Sequence, residues 1–161
     1  MALDFTLQNP IATLRRLWRI LRRLPMGKWI LSRLFGFFVP YTGSIQPEIV
    51  ELEPGQVMLR MRDRRAVRNH LNCVHAMAMG NLAEATTGLA LSILLTDRQR
   101  AILTGFSMDY LKKGRGSLLA LCRYQLPPDF VQGDLVVEGE IRNEAGETVA
   151  IARANWRVGP R

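Results

Sequence analysis

The sequence predicts an α+β fold in which an antiparallel sheet wraps around one long, apolar central helix. Two helical segments come first, two strand-like segments follow, and a long apolar helix then precedes four more strand-like segments. Residues 69–96 contain no Lys, Arg or Asp, and Glu84 is their only acidic residue. A helix that is apolar on nearly every side must be covered on nearly every side, which a curled sheet achieves.

Length and composition limit the possible classes of protein. The chain has 161 residues, of which 48% are hydrophobic and 22% are charged, as expected for one globular domain. Its two cysteines, Cys73 and Cys122, have no metal-ligand spacing and favour a reducing compartment, so we expect a cytoplasmic protein without a metal site. We expect neither a signal peptide nor a transmembrane span, because charged or polar residues interrupt the apolar stretches.

Residues 1–40 are predicted to form a basic amphipathic helical extension, and residues 41–161 the domain itself. Apolar residues recur at helical spacing from Pro10 onward, arginines fill the positions between them, and Pro25 ends this helix. A second short helix is expected over 27–38. Residues 1–40 contain seven basic residues and one acidic residue, so they carry most of the net charge of +8.

The basic N-terminal helix has three interpretations, which the sequence leaves open. Its apolar stripe could pack on the domain or on another subunit. Residues 10–38 could instead make peripheral contact with an anionic membrane, which would place the protein at the inner face of that membrane. The arginines could also bind nucleic acid, but no aromatic platform alternates with them and no known motif is present. We therefore expect no nucleic-acid partner.

Alternation and turn residues predict the remaining elements. Strands are expected over 44–52 and 56–62, around the turn Glu53-Pro54-Gly55, and a long helix over 74–95. Four further strands, separated by turns, are expected at 101–110, 117–125, 134–143 and 148–158. Alternate residues of the last strand are small and share one face, which would let a helix approach closely: Ala150, Ala152 and Ala154.

Glu84 is the first candidate for chemistry, because an ionisable side chain in so apolar a helix is costly to bury unless it is paired or used. Asn69 and His75 precede it at a defined spacing, Asn69-x5-His75-x8-Glu84. This pattern resembles the signature of hotdog-fold acyl-CoA thioesterases of the phenylacetyl-CoA thioesterase type. In that family a His-Gly-Gly sequence opens the central helix and an acidic residue follows. The order of elements over residues 41–158 also resembles the hotdog fold.

The resemblance implies a homo-oligomer, either a dimer or a dimer of dimers, that hydrolyses an acyl-CoA-type thioester between subunits. It implies no metal or redox cofactor, because coenzyme A arrives as part of the substrate. Glu84 would act as a general base toward water or attack directly to form an anhydride. Backbone N–H groups of Ala76 and Met77 at the helix start would polarise the carbonyl. His75 and Asn69 would position the substrate.

Two geometric consequences follow from the motif. Glu84 lies about 13 Å along the helix from its start. One helix therefore cannot bring the Glu84 carboxyl group and the N–H groups of its own first turn to the same carbonyl. A two-fold dimer could, by placing Glu84 of one subunit opposite the helix start of the other. Ala76 and Met77 stand where the family has two glycines, and the Met77 side chain would narrow, relocate or close the acyl pocket.

Other residues have both a functional and a structural interpretation. Lys112, Lys113 and Arg115 lie in a turn that would hold the phosphates of a CoA-like ligand or simply form a solvated hairpin. Thr87 would line the substrate pocket or pack in the core. The acid itself could be satisfied by Asn81, Thr87 or a partner chain.

The flanking motif residues have structural alternatives too. His75 could cap the helix, and Asn69 could close the turn before it. At the level of function, the alternative to hydrolysis is a non-catalytic acyl or lipid binder that its basic helix holds at a membrane surface.

Overall fold

The computed structural model describes residues 10–161, which form one sheet wrapped around a central helix. Its helices are α1 (Pro10–Leu21), α2 (Gly27–Phe38), α3 (Pro40–Gly43) and α4 (Ala76–Ser92), with a short 3-10 turn at Arg65–Val67. Its strands are β1 (Glu48–Glu53), β2 (Gln56–Met61), β3 (Gln99–Tyr110), β4 (Leu118–Arg123), β5 (Gly133–Arg142) and β6 (Thr148–Pro160). No helix within 10–161 is long and apolar enough to cross a membrane.

The six strands lie in the order β1-β2-β4-β5-β6-β3, and each neighbouring pair is antiparallel. The predicted small-residue face of β6 lies inside, with Ala150, Ala152 and Ala154 fully buried. Close approach extends to β5, where a Cβ at Gly139 would lie only 3.1 Å from the methyl carbon of Thr87 in α4. Small side chains therefore allow the helix to lie directly on the sheet.

The central helix α4 is shorter than the predicted 74–95 at both ends. Val74 is held outside the helix by a bridge to Arg68 and by donating its N–H to the Gly114 carbonyl (2.8 Å). His75 adopts an extended conformation (φ −65°, ψ 139°) and caps the helix, which therefore begins at Ala76. Eleven of its seventeen residues are buried, as expected for a helix enclosed by a sheet.

The N-terminal helices pack on the domain rather than standing apart from it. Leu14 and Trp18 of α1 belong to the hydrophobic core, and the Trp18 indole N–H donates to Glu53 (3.1 Å). Helix α2 spans the predicted 27–38. The short α3 was not predicted, because Pro40 reads equally well as a terminator of α2 or as the first residue of a new helix. As a result β1 begins at Glu48 instead of residue 44.

The two edges of the sheet differ in how they are covered. At the β1 edge, the Ile49 N–H donates to Ser32 Oγ of α2 (2.8 Å), and Lys28 of α2 donates to the Val50 carbonyl (3.0 Å). At the opposite edge β3 is twelve residues long and pairs only with β6 among the described strands. A long edge strand presents unpaired backbone groups that favour association with another chain.

Candidate functional site

The carboxyl group of Glu84 is only partly accessible and forms no hydrogen bond or ion pair with any residue of 10–161. Two nearby side chains that could have satisfied it bond elsewhere. Asn81 donates to the Tyr41 carbonyl (3.1 Å), and the Thr87 hydroxyl donates to backbone carbonyls of the same helix. Burial raises the pKa of Glu84 above its ordinary value. Within the described chain, the acid therefore has no structural partner.

Gly88 and the ring of Trp156 lie beside this acid. A Cβ at Gly88 would lie 4.0 Å from a Glu84 carboxyl oxygen and 3.0 Å from the Trp156 ring. One turn before the acid, Gly80 lies under Phe106, with 3.7 Å between a ring carbon and the position of a Cβ. The buried Trp156 indole N–H has no acceptor in the described chain. These weakly polar neighbours solvate a carboxylate poorly, which accounts for the direction of the pKa shift.

His75 has a structural task at the start of α4. Its Nδ1 accepts the Met77 N–H (3.0 Å), so the imidazole is the helix cap. Of the two amides expected to be free, the one at Met77 is therefore occupied, while the one at Ala76 has no acceptor among the described residues. The Met77 side chain is 63% exposed and does not fill the interior.

Asn69 closes the loop before the helix, the role that was the alternative to positioning the substrate. Its side-chain oxygen accepts the N–H groups of Leu71 (2.9 Å) and Cys73 (3.3 Å), and the Cys73 thiol as well (3.3 Å). This arrangement leaves its NH₂ group as the remaining donor. Asn69 therefore shapes the approach to α4 chiefly by holding the loop.

The basic turn lies beside the start of α4. The Gly114 carbonyl accepts the Val74 N–H (2.8 Å), which ties the turn to the residues before the helix. Lys113 and Arg115 are exposed and have no ion-pair partner among residues 10–161, whereas Lys112 pairs with Glu147 (2.6 Å). Two free cations therefore lie near the N-terminus of α4. This N-terminus is eight residues before Glu84, or about 12 Å from it along the helix axis.

Thr87 does not lie on an accessible surface. Its side chain is fully buried, and its methyl group packs against Gly139. Its hydroxyl donates to the carbonyls of Ala83 and Glu84 at 3.0 Å each. Within the described chain Thr87 thus has the packing role that was its structural alternative, and its contact with substrate stays a prediction.

Tyr110 makes a contact at the start of α4 that the sequence did not predict. Its hydroxyl donates to the Ala76 carbonyl (3.0 Å), joining the end of β3 to the first turn of α4. The side chain is 45% exposed. It shares the helix-facing side of β3 with Phe106 and Met108, whose register partners Ala154 and Ala152 are buried under the helix. This alternation was readable in the sequence, but the contact with the start of α4 was not.

Side chains that could bind a metal ion are not clustered in the described chain. Residues 10–161 contain no group of three His, Cys, Asp or Glu side chains placed to hold an ion. The site is thus made of one unpaired acid, one free helix-start amide and a basic turn, all near the open β3 edge.

Solved structures share this fold. A structural-genomics target whose name states no function is 28% identical, with a TM-score of 0.81 over 93% of this chain and 99% of its own. A Pseudomonas aeruginosa protein of unknown function, described as a probable thioesterase, is 22% identical, with a TM-score of 0.69 over 86% of this chain and 97% of its own. A thioesterase family protein from Silicibacter pomeroyi is 18% identical, with a TM-score of 0.70 over 81% and 96%. The predicted resemblance to hotdog-fold thioesterases is confirmed at the level of the fold.

Sequence comparison gives the family. No curated protein matches this sequence. The family profile described as "Domain of unknown function (DUF4442)" matches residues 27–158, which include α2, strands β1 to β5 and most of β6. The match covers most of the chain and begins inside the helical extension. The chain therefore belongs to the DUF4442 family, and its fold is the hotdog fold.

Proposed function

We propose that this protein hydrolyses an acyl-CoA-type thioester at a site that forms between two copies of the chain. The observation that carries the proposal is the Glu84 carboxyl group, which is half-buried, has a raised pKa and has no partner within residues 10–161. Such an acid destabilises the folded chain when it ionises, so it is better explained by chemistry than by packing.

Glu84 would act as the general base. Its carboxylate takes a proton from water while the water oxygen attacks the thioester carbonyl carbon. The tetrahedral oxyanion then collapses, the carbon–sulfur bond breaks, and the thiolate of coenzyme A recovers the proton to leave as a thiol. Direct attack by the carboxylate, through an anhydride, is the second route open to the same residue.

The oxyanion needs hydrogen-bond donors. Those at the start of a helix are too far from Glu84 of the same helix to act on one carbonyl group with it. The Ala76 N–H is free of any described acceptor and lies at the positive end of the α4 dipole. Preorganised donors of this kind stabilise developing negative charge. The Met77 N–H becomes a second donor only if His75 releases it. If the His75 side chain turned from the Met77 N–H to the substrate, that N–H would become the second oxyanion donor.

A two-fold dimer would bring these groups together. The β1 edge is covered by α2, whereas β3 is an open edge whose helix-facing side chains Phe106 and Tyr110 are only partly buried. Pairing of β3 with its copy would extend the sheet and cover both aromatic rings. Glu84 of one subunit would then face Ala76 of the partner subunit. A dimer of such dimers is compatible with the same contact.

The basic turn supports the proposed substrate class. Lys113 and Arg115 stand beside the helix start without ion-pair partners in the described chain, and phosphates of coenzyme A are the complementary charge. Lys112 would add a third contact if it left Glu147. The aromatic rings near Glu84 suit the acyl group. The names of the Pseudomonas and Silicibacter relatives agree with this chemistry.

A non-catalytic acyl or lipid binder is the second candidate. The observation that favours it is Met77, whose exposed side chain and capped amide replace the open backbone of a glycine. This candidate keeps the aromatic rings as its contact with the acyl group but lacks the second oxyanion donor.

Turnover separates the two candidates. Wild-type protein and the variant Glu84→Gln are offered short, long and aromatic acyl-CoAs, and released thiol is measured. Loss of the base should lower kcat by about 100-fold or more. Glu138→Gln, at an exposed acid on β5, is the control and should match wild type. Tight acyl-CoA binding without wild-type turnover would support the binder, and equal turnover by Glu84→Gln would contradict the assigned base.

A further inference from the structure

Helix α2 exposes large apolar side chains on the face that it turns away from the sheet. Trp29, Ile30 and Phe37 are 55%, 40% and 77% exposed, while Leu31 and Phe35 on the opposite side are buried. Their spacing places the exposed residues along one stripe of the helix. The inner side of α2 is already occupied by β1, so the domain itself leaves this stripe uncovered. Large exposed apolar patches generally mark interaction sites.

Helix α1 and its C-terminal turn present a basic stripe. Arg16, Arg19 and Arg23 recur three and four residues apart, and all three are exposed. None of them forms an ion pair with a residue of the described chain. Ile20, 51% exposed, lies among them. Arg33 adds an exposed cation between Trp29 and Phe37 on α2.

Both helices bond to the same strand. Trp18 of α1 donates to Glu53 of β1 (3.1 Å), and Ser32 of α2 accepts the Ile49 N–H of β1 (2.8 Å). Helices α1 and α2 also pack against each other, so both lie at the β1 edge of the domain. We call their exposed faces together the N-terminal surface, which is represented by Arg16, Arg19, Arg23, Trp29, Arg33 and Phe37.

Charge along this part of the chain has one sign. Residues 10–47 contain seven basic residues and no acidic residue. Two of the seven, Arg15 and Arg22, are directed toward Asp97 and Glu53 of the domain. Lys28 donates to the Val50 carbonyl (3.0 Å), which leaves Arg16, Arg19, Arg23 and Arg33 to meet an anionic partner.

We propose that the N-terminal surface docks on an anionic lipid membrane as a peripheral contact. Exposed Trp and Phe beside arginines match the headgroup region, where aromatic rings enter the boundary and cations meet lipid phosphates. The cytoplasmic leaflet carries the anionic lipids that attract such segments. A second copy of this chain is a poorer occupant, because a two-fold contact here would bring arginines face to face. Nucleic acid would pair with the cations but leave the apolar stripe exposed.

The inference does not depend on thioester hydrolysis and is tested without it. Full-length protein is sedimented with vesicles of phosphatidylcholine alone and of phosphatidylcholine with phosphatidylglycerol. Tryptophan emission gives a second readout, because Trp29 is exposed while Trp18 and Trp156 are buried (4% and 6%). We expect binding to the anionic vesicles only, with a blue shift in emission that disappears in Trp29→Phe.

Matched variants separate the two parts of the surface. Arg16→Glu/Arg19→Glu should reduce vesicle partitioning at least about tenfold, since each basic residue near the membrane surface contributes to binding. Arg65→Glu/Arg98→Glu makes the same charge change at exposed arginines outside the surface and should reduce it much less. Trp29→Ser/Phe37→Ser should also release the protein.

The apolar control is Val131→Ser/Val136→Ser, at residues 71% and 57% exposed elsewhere in the fold. It should bind vesicles as wild type does. Several results would overturn the proposal: equal partitioning by both arginine variants, an unchanged Trp29 emission with anionic vesicles, or a lower solution mass for Trp29→Ser/Phe37→Ser. The last result would assign the surface to a contact between copies. Binding to nucleic acid but not to vesicles would assign it to that partner.

Discussion

Glu84 is a partly buried acid whose carboxyl group has no hydrogen-bond partner within residues 10–161. Its isolation in an uncharged run of the sequence marked it, because burying an unpaired carboxylate is costly. The structure adds that Asn81 and Thr87 bond to backbone carbonyls instead. Sequence could not decide this, since an amide or hydroxyl one turn away has several acceptors within reach.

The raised pKa of Glu84 predicts a pH-dependent gain in stability for Glu84→Gln. A carboxyl group whose pKa is higher in the folded than in the unfolded chain destabilises the fold as it ionises, so its penalty grows as pH rises above about 4.5. Glutamine removes that penalty. Tm should therefore be similar for both proteins at pH 4 and higher for Glu84→Gln at pH 8. A gap that is absent or reversed at pH 8 would mean that a partner satisfies the acid.

Motif residues around the helix start were only partly predictable. The spacing of Asn69 and His75 was correct for the fold, but each has its side-chain acceptor bonded to nearby backbone N–H groups. Both structural alternatives had been open, because a side chain that closes a turn and one that meets a ligand need the same residue types. The burial of Thr87 could not be predicted, because it depends on how closely Gly139 lets β5 approach.

The cap at His75 can be tested by substitution. His75→Ala should lower the free energy of unfolding by about 1 kcal/mol, because the Met77 N–H loses its acceptor. His75→Asn should stay close to wild type, since asparagine is a favoured cap. Denaturant titration measures both. Equal stability of His75→Ala and wild type would show that the cap contributes nothing.

Among the secondary-structure elements, periodicity predicted most of the fold. Helix α2 and the strands β2 to β6 lie within three residues of their expected positions, because alternation and helical spacing survive into the structure. The short α3 was not predicted, and α4 begins two residues later and ends three residues earlier than predicted. These differences depend on the Val74 bridge and on a proline that can open or close a helix.

The start of α4 offers a precise test of the proposed oxyanion donor. Ala76→Pro removes one N–H at the first helical position, where proline is well tolerated, and His75 already has the extended conformation that precedes proline. Hydrolysis should fall by about 100-fold or more, with Tm little changed. Ala76→Gly keeps the amide and is the control. Equal activity of both variants would remove Ala76 from the site.

At the scale of the whole molecule, the two sheet edges make the assembly testable. Covered β1 and open β3 predict that the 18.2 kDa chain associates through β3. Light scattering should give at least twice the chain mass. Ile102→Lys, on β3, should lower that mass, whereas Val136→Lys, equally exposed on β5, should not. A single-chain mass for wild type at assay concentrations would contradict a shared site.

Complementation between inactive variants tests the shared site most directly. Glu84→Gln and Ala76→Pro are co-expressed, and thiol release is measured on the mixture. In a mixed dimer one site carries both changes and the other carries neither, so random pairing should restore about a quarter of wild-type activity. If each site lies within one subunit, every site keeps one defect. Activity no higher than that of the two parent variants would contradict the account.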